Sequence, residues 1–177
     1  MTKARTLKTE RLYLRPINEE DAELVFRLFN SPKWLEYIGD RNIKSTRDAE
    51  DYIRHKMVAQ LEKLGFSSYT MIRKSDSIKL GICGLYDREG IEGIDIGFAL
   101  LPGYEKMGYA FEAASKILDA AFNAFGLAGI SAITVRENIA SQKLLEKLGL
   151  KLSGTIKLPG EEKELLLYKT EARDPEE

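Results

Sequence analysis

Ile96-Gly97-Phe98-Ala99-Leu100-Leu101-Pro102-Gly103-Tyr104-Glu105-Lys106-Met107-Gly108-Tyr109-Ala110, continued to Phe125, decides the fold. It reads as an apolar strand, a glycine-containing turn over Leu101 to Ala110, and a long amphipathic helix. The helix sets Ala110, Ala113, Ala114, Ile117, Leu118, Ala121 and Phe125 at three- and four-residue spacing, the stripe that a core-facing helix needs. Gly108 and Ala110 leave little side-chain bulk where that helix begins. Its first backbone N–H groups can therefore close around phosphate oxygens, with the positive end of the helix behind them. A turn that is merely tight accounts for the glycines equally well. Neither G-x-G-x-x-G nor G-x-x-x-x-G-K-[ST] occurs: Gly103 and Gly108 have the outer spacing of the second, but Tyr109-Ala110 replaces its Lys and hydroxyl. This points to a phosphorylated carrier rather than to an ATPase or GTPase.

Just upstream, Ile94, Ile96, Phe98 and Leu100 fall on one strand face, while Asp95, Gly97 and Ala99 fall on the other. The second face is nearly bare. Such a face lets a ligand approach the backbone, with Asp95 at its edge to meet a proton; equally, it admits a packed helix.

Working outward, Leu12 to Arg15 reads as a strand, and Asn18-Glu19-Glu20-Asp21 offers an N-cap with an acidic third position before the helix face Leu24, Val25, Leu28, Phe29. A second helix follows Ser45 and covers Asp48 to Leu64. Phe66 to Arg73 and Ile78 to Tyr86 form strands around the turn Lys74-Ser75-Asp76-Ser77. Ile130 to Val135 is a strand, Ile139 to Leu148 a short helix ended by Gly149, and Leu150 to Ile156 and Leu165 to Tyr168 a closing antiparallel pair. A strand-helix-strand unit flanked by hairpins makes a mixed α/β sheet.

With 177 residues, 44% of them hydrophobic, the chain suits one domain, and no repeat or linker divides it. A net charge of −1 with both signs interspersed provides neither a basic footprint for nucleic acid nor a face for anionic membranes. No apolar run approaches the ~20 residues of a membrane span. The single Cys83 excludes an internal disulfide, and Met1-Thr2-Lys3-Ala4-Arg5 is not followed by an apolar signal core, so a cytoplasmic protein is expected. Cys83 lies in a strand-like run and reads as a buried structural thiol. His55 has no partners for a metal set, so no metal is expected. Glu161-Glu162 reads as a solvated turn and Asp174-Pro175-Glu176-Glu177 as a frayed tail.

Four stretches occur in order: Thr9-Glu10-Arg11-Leu12-Tyr13-Leu14-Arg15-Pro16; Ile94-Asp95-Ile96-Gly97-Phe98; Gly108-Tyr109-Ala110-Phe111-Glu112-Ala113; and Val135-Arg136-Glu137-Asn138-Ile139-Ala140-Ser141 with Leu145-Glu146-Lys147-Leu148-Gly149-Leu150. Together they resemble a GNAT-superfamily acetyltransferase of the RimJ/RimL type, named for enzymes that acetylate the N-terminal amine of ribosomal proteins. The resemblance runs from Thr9 to Lys169. It implies one acetyltransferase domain over residues 1–177 and a mixed, mostly antiparallel sheet of about seven strands with flanking helices.

The resemblance also implies the chemistry: acetyl-coenzyme A as cosubstrate and an amine as acceptor. By position, the backbone amides of Lys106, Met107, Gly108, Tyr109 and Ala110 would hold the coenzyme pyrophosphate, and Phe98, Ala99 and Leu100 would bracket the pantetheine arm. Related enzymes splay this strand from its neighbour. Asp95 stands where many relatives carry a Glu acting as base; being one methylene shorter, it calls for a water relay. An exposed structural Asp is the alternative. Asn138 would contact the pantetheine or phosphate region and Ser141 the sulfur, as proton donor or orienting group; an N-cap and a polar first turn describe the same pair. Trp34 and Tyr37, in the segment Ser31 to Tyr37 where relatives build the acceptor wall, are candidate acceptor contacts or core. An α-amine is roughly 10–20% neutral at pH 7, a Lys amine about 0.04%, so an N-terminal acceptor needs little help from a base. Where relatives read Tyr-Trp-Gly-Lys-Gly-Tyr-Ala, this chain has Tyr104-Glu105-Lys106-Met107-Gly108-Tyr109-Ala110. Glu105 brings a negative charge toward a phosphate site, and Lys106 is expected to offset it. The alternative function is an acyl-coenzyme A binding module with weakened or lost catalysis; a nucleotide-binding protein is a third reading. The sequence leaves the oligomeric state open, a homodimer being one form it allows.

Overall fold

The computed structural model describes residues 4–173; the Asp174 to Glu177 tail lies outside them. In chain order the elements are β1 (Leu7–Lys8), β2 (Leu12–Pro16), α1 (Ala22–Phe29), α2 (Pro32–Tyr37), α3 (Thr46–Tyr52), α4 (Ala59–Leu64), β3 (Ser68–Arg73), β4 (Lys79–Tyr86), β5 (Ile94–Leu100), α5 (Tyr109–Asn123), β6 (Ile130–Thr134), α6 (Ile139–Lys147), β7 (Lys151–Ile156) and β8 (Leu165–Lys169). They build an eight-stranded sheet of order β1-β2-β3-β4-β5-β6-β8-β7, in which only β5 and β6 run parallel. The sequence predicts about seven strands; the eighth is β1, a two-residue strand too short to carry a periodicity.

Helices cover both faces of the middle of the sheet, so β4 is buried along six consecutive residues, Leu80 to Leu85. On one face α5 crosses β4 and β5 and buries Ala113, Ala114, Ile117 and Ala121 against Leu12, Leu14, Met71 and Ile96. Its alanines let the helix axis lie close to the strands. Ala110, Leu118 and Phe125, expected in the same stripe, are only half-buried. On the opposite face α1, α3 and the turn that follows α3 pack Val25, Leu28, Phe29, Ala49 and Ile53 over Ile82. The Cys83 thiol is fully buried, and burial pushes its pKa up. His55 is exposed.

Local signals set the boundaries. Asn18 accepts from the Glu20 amide, and Asp21 accepts from the Asn18 amide at 3.1 Å, a capping box that turns the chain into α1. Ser45 caps α3 by accepting from the Asp48 amide at 3.0 Å. The helix expected from Asp48 to Leu64 starts earlier, at Thr46, and contains a π-helical turn, Ile53–Val58, between α3 and α4. Gly149, at φ 94°, ends α6 as its position suggests. Among the described residues no helix is long and apolar enough to cross a membrane.

Candidate active site

β5 and β6 pair at only two positions, Ile94 with Ile130 and Asp95 with Ser131. Beyond these β5 continues its antiparallel ladder with β4 to Leu100, while β6 turns its other edge to β8. The facing edges, Ile96 to Leu100 and Ala132 to Thr134, therefore run apart and leave a cleft through the sheet. Two adjoining cavities fill it, of about 420 Å³ and about 330 Å³, and they share a wall of Trp34, Tyr37, Phe98, Ala99, Asn138 and Ser141.

The smaller cavity ends at the turn before α5. Gly108, Tyr109, Ala110 and Phe111 line it, and no side chain caps the helix. The first-turn amides have no acceptor within the helix either, so the positive helix end opens on the cavity. Gly108 sits at φ 83°, a conformation costly for a residue with a Cβ. The Glu112 carboxylate, in the first turn of α5, is held by the Arg11 amide at 2.9 Å and the Arg11 side chain at 2.8 Å. Lys106 lines the cavity, whereas Met107 lines neither cavity and is 52% exposed. The partner of Glu105 is Lys33 at the start of α2, at 2.7 Å, and not Lys106. That ion pair joins the loop to α2 across the cavity.

The larger cavity holds Asp95. The expected parity is observed: Ile94, Ile96, Phe98 and Leu100 pack on the α5 side, and Asp95 and Gly97 line this cavity. Asp95 is 1% exposed and grips Arg88 through both oxygens, Nε to Oδ1 and Nη2 to Oδ2, each at 3.2 Å. Burial pushes the Asp95 carboxyl above its ordinary pKa, against the opposing pull of Arg88. A Cβ at Gly97 would stand 3.0 Å from the Tyr86 ring, so the ring would have to give by a few tenths of an ångström. Tyr86 is fixed at its far end by a 2.6 Å hydrogen bond with Ser68.

Asn138 is the N-cap of α6, its Oδ1 accepting from the Ser141 amide at 3.2 Å. Both line both cavities, so the N-cap bond leaves the pair in the cleft wall. Trp34 stacks on Phe29, with centroids 3.9 Å apart, and its buried Nε1 has no partner among the described residues. Such a donor is costly unless a ligand accepts from it. The cleft thus brings together Asp95, Phe98, Ala99, Leu100, Lys106, Gly108, Tyr109, Ala110, Asn138, Ser141, Trp34 and Tyr37, leaving Met107 out. Arg88 and Lys33 were missed. Arg88 had one usable signal: in a β4–β5 hairpin with Tyr86 opposite Asp95, a residue just past Tyr86 can reach back.

Comparison with known proteins adds a lineage. The Acetyltransferase (GNAT) domain family matches residues 11–151. The chain is 30% identical over 152 residues to the uncharacterized N-acetyltransferase YoaA of Bacillus subtilis, covering 85% of each chain. It is similar to the crystal structure of a GNAT-family acetyltransferase from Bacillus anthracis, with a TM-score of 0.77 and 25% identity over 98% of this chain and 100% of that one. A ribosomal-protein-S5-alanine acetyltransferase from Vibrio fischeri shares the fold at a TM-score of 0.79 and 19% identity, over 96% of this chain and 97% of that one.

Proposed function

The chain belongs to the GNAT acetyltransferase family, whose cosubstrate is acetyl-coenzyme A, and on that premise we propose that it acetylates a primary amine within the β5–β6 cleft. The observation that carries this reading is the two-position pairing of β5 and β6, which opens the sheet between a phosphate-ready helix end and a buried carboxylate. In the proposed arrangement the amides of Lys106 to Ala110 hold the pyrophosphate, and the edge Phe98 to Leu100 hydrogen-bonds the pantetheine arm. Met107 contributes its backbone only. The residues fit such a ligand: the helix end is uncapped, the wall is apolar, and the Trp34 indole N–H awaits an acceptor.

The acetyl thioester supplies the electrophile: an N–C bond forms as the C–S bond breaks, the amine loses a proton and the thiolate gains one. We assign the first proton to Asp95 through water, and the second, or the orientation of the thiolate, to Ser141. Trp34 and Tyr37 shape the acceptor side. An α-amine is the acceptor we favour, because it needs little deprotonation and because the motifs resemble those of the RimJ/RimL branch. The same reading treats the chain as one acetyltransferase unit at work in the cytoplasm.

The test is thiol release from acetyl-coenzyme A with peptides of free N-terminus, polyamines, aminoglycosides and amino acids. Amine-dependent release is expected, fastest with an N-terminal peptide. Coenzyme binding with no release for any amine would favour the acyl-coenzyme A binding module instead.

A further inference from the structure

We infer that Arg88 is a positioning residue for the reaction: its two-pronged grip fixes the plane of the Asp95 carboxylate in the cavity wall, set to take the proton of the incoming amine through water. The inference rests on the proposed role of Asp95.

Three features separate this pair from an ordinary structural ion pair. Arg88 lies just beyond the end of β4 and lines the same cavity as Asp95, so the pair borders the space where the acceptor must come. The pair is open on one side only, since Asp95 is 1% exposed while the Arg88 side chain is 31% exposed. Arg88 is also held from behind: its guanidinium lies 5.5 Å from the centre of the Tyr86 ring, and that ring is seated by Ser68 and by the missing side chain at Gly97.

Burial pushes the Asp95 carboxyl above its ordinary pKa, and the Arg88 guanidinium pulls it back toward that value. Among the described residues Arg88 is the one cation in contact with it. Asp87, beside Arg88 on the hairpin, pushes the other way, and the Tyr86 phenol on β4 and Tyr52 on α3 add no positive charge. Arg41 between α2 and α3, Lys56 on the π turn, Glu89 on the hairpin and Glu161 and Lys163 ahead of β8 line the cavity without a bond to Asp95. A guanidinium bonds both carboxylate oxygens at once and fixes the plane of the group, whereas an ammonium supplies charge without that plane.

Two readouts on the full chain test this. In a ¹³C titration of the aspartate carboxyl carbons, with the Asp95 signal identified by its loss in Asp95→Asn, Arg88→Gln should raise the Asp95 midpoint by about one to three pH units. Arg88→Lys should return it close to the parent. With acetyl-coenzyme A and a saturating peptide carrying a free N-terminal alanine, the acid limb of kcat should move to higher pH in Arg88→Gln. Arg88→Lys should keep the parental limb with a lower plateau. An unchanged Asp95 midpoint in Arg88→Gln, or a rate lowered equally at every pH, overturns the inference. If Arg88→Gln does not fold, Arg88→Lys decides, since a plateau equal to the parent's would remove the need for the fork. Failure of the underlying reading is told apart by Asp95→Asn, which would then keep the parental acid limb whatever Arg88 does to the midpoint.

Discussion

Asp21 and Asp95 are both buried carboxylates gripped by an arginine, and their surroundings move their pKa values in opposite directions. Asp21 is fully buried, yet it accepts from Arg15 at 3.0 and 2.7 Å, from Thr70 at 2.8 Å and from the Asn18 amide at 3.1 Å, with Lys79 at 2.8 Å. Burial opposes its charge, but these partners together outweigh burial and hold its pKa below the ordinary value. With one cationic partner Asp95 moves the other way. A group whose pKa is lower folded than unfolded stabilises fully above the unfolded value, near about 3.9, and loses that contribution as pH falls through the folded value. Asp21→Ala should therefore cost about 3 kcal/mol in denaturant unfolding at pH 7, with the gap to the parent closing below about pH 4. A gap that persists unchanged into acid would mean that Asp21 matters for packing and not for charge. Only the Asn18–Asp21 part of this cluster was legible in the sequence, because a capping box is a local pattern. Arg15, Thr70 and Lys79 were not, since the registers of β2, β3 and β4 are what bring them to the same carboxylate.

The turn between β5 and α5 was readable as a unit, because the strand alternates with period two and the helix repeats every three or four residues. Its internal electrostatics were not readable, because the partner of Glu105 comes from α2, a six-residue helix too short to show a period. With Lys33 on Glu105, Lys106 is free to meet a phosphate. Lys106 also adopts φ 61°, a left-handed conformation that suits glycine, where the resemblance places a glycine. Lys106→Gly should act in two directions. Thermal or denaturant unfolding should show a gain of about 0.5 kcal/mol from relieved backbone strain. Affinity for acetyl-coenzyme A should fall roughly two- to fivefold in low salt and less in high salt, as for an exposed charged contact. Unchanged affinity at both salt concentrations would remove Lys106 from the site. The π turn between α3 and α4 also escaped the sequence, since one extra residue per turn leaves the apolar pattern nearly intact.

At the scale of the whole molecule, a mixed sheet with helices on both faces follows from the order and period of the elements. The cleft itself does not, because it depends on β6 giving its ladder to β8 and leaving β5 after two positions, a tertiary fact that only the family resemblance anticipated. Everything proposed about function depends on that opening, since it sets the uncapped end of α5, the free edge of β5 and the Asp95–Arg88 pair around one space. The most direct measurement is an amide ¹H–¹⁵N titration of the intact protein with acetyl-coenzyme A. The account predicts saturation in the micromolar range, with the largest shifts at the amides of Lys106, Met107, Gly108, Tyr109, Ala110 and Phe111 and of Phe98, Ala99 and Leu100. Amides of β1 and β7, at the two edges of the sheet, should remain still. No saturation at millimolar ligand, or shifts centred away from the β5–β6 cleft, would contradict it.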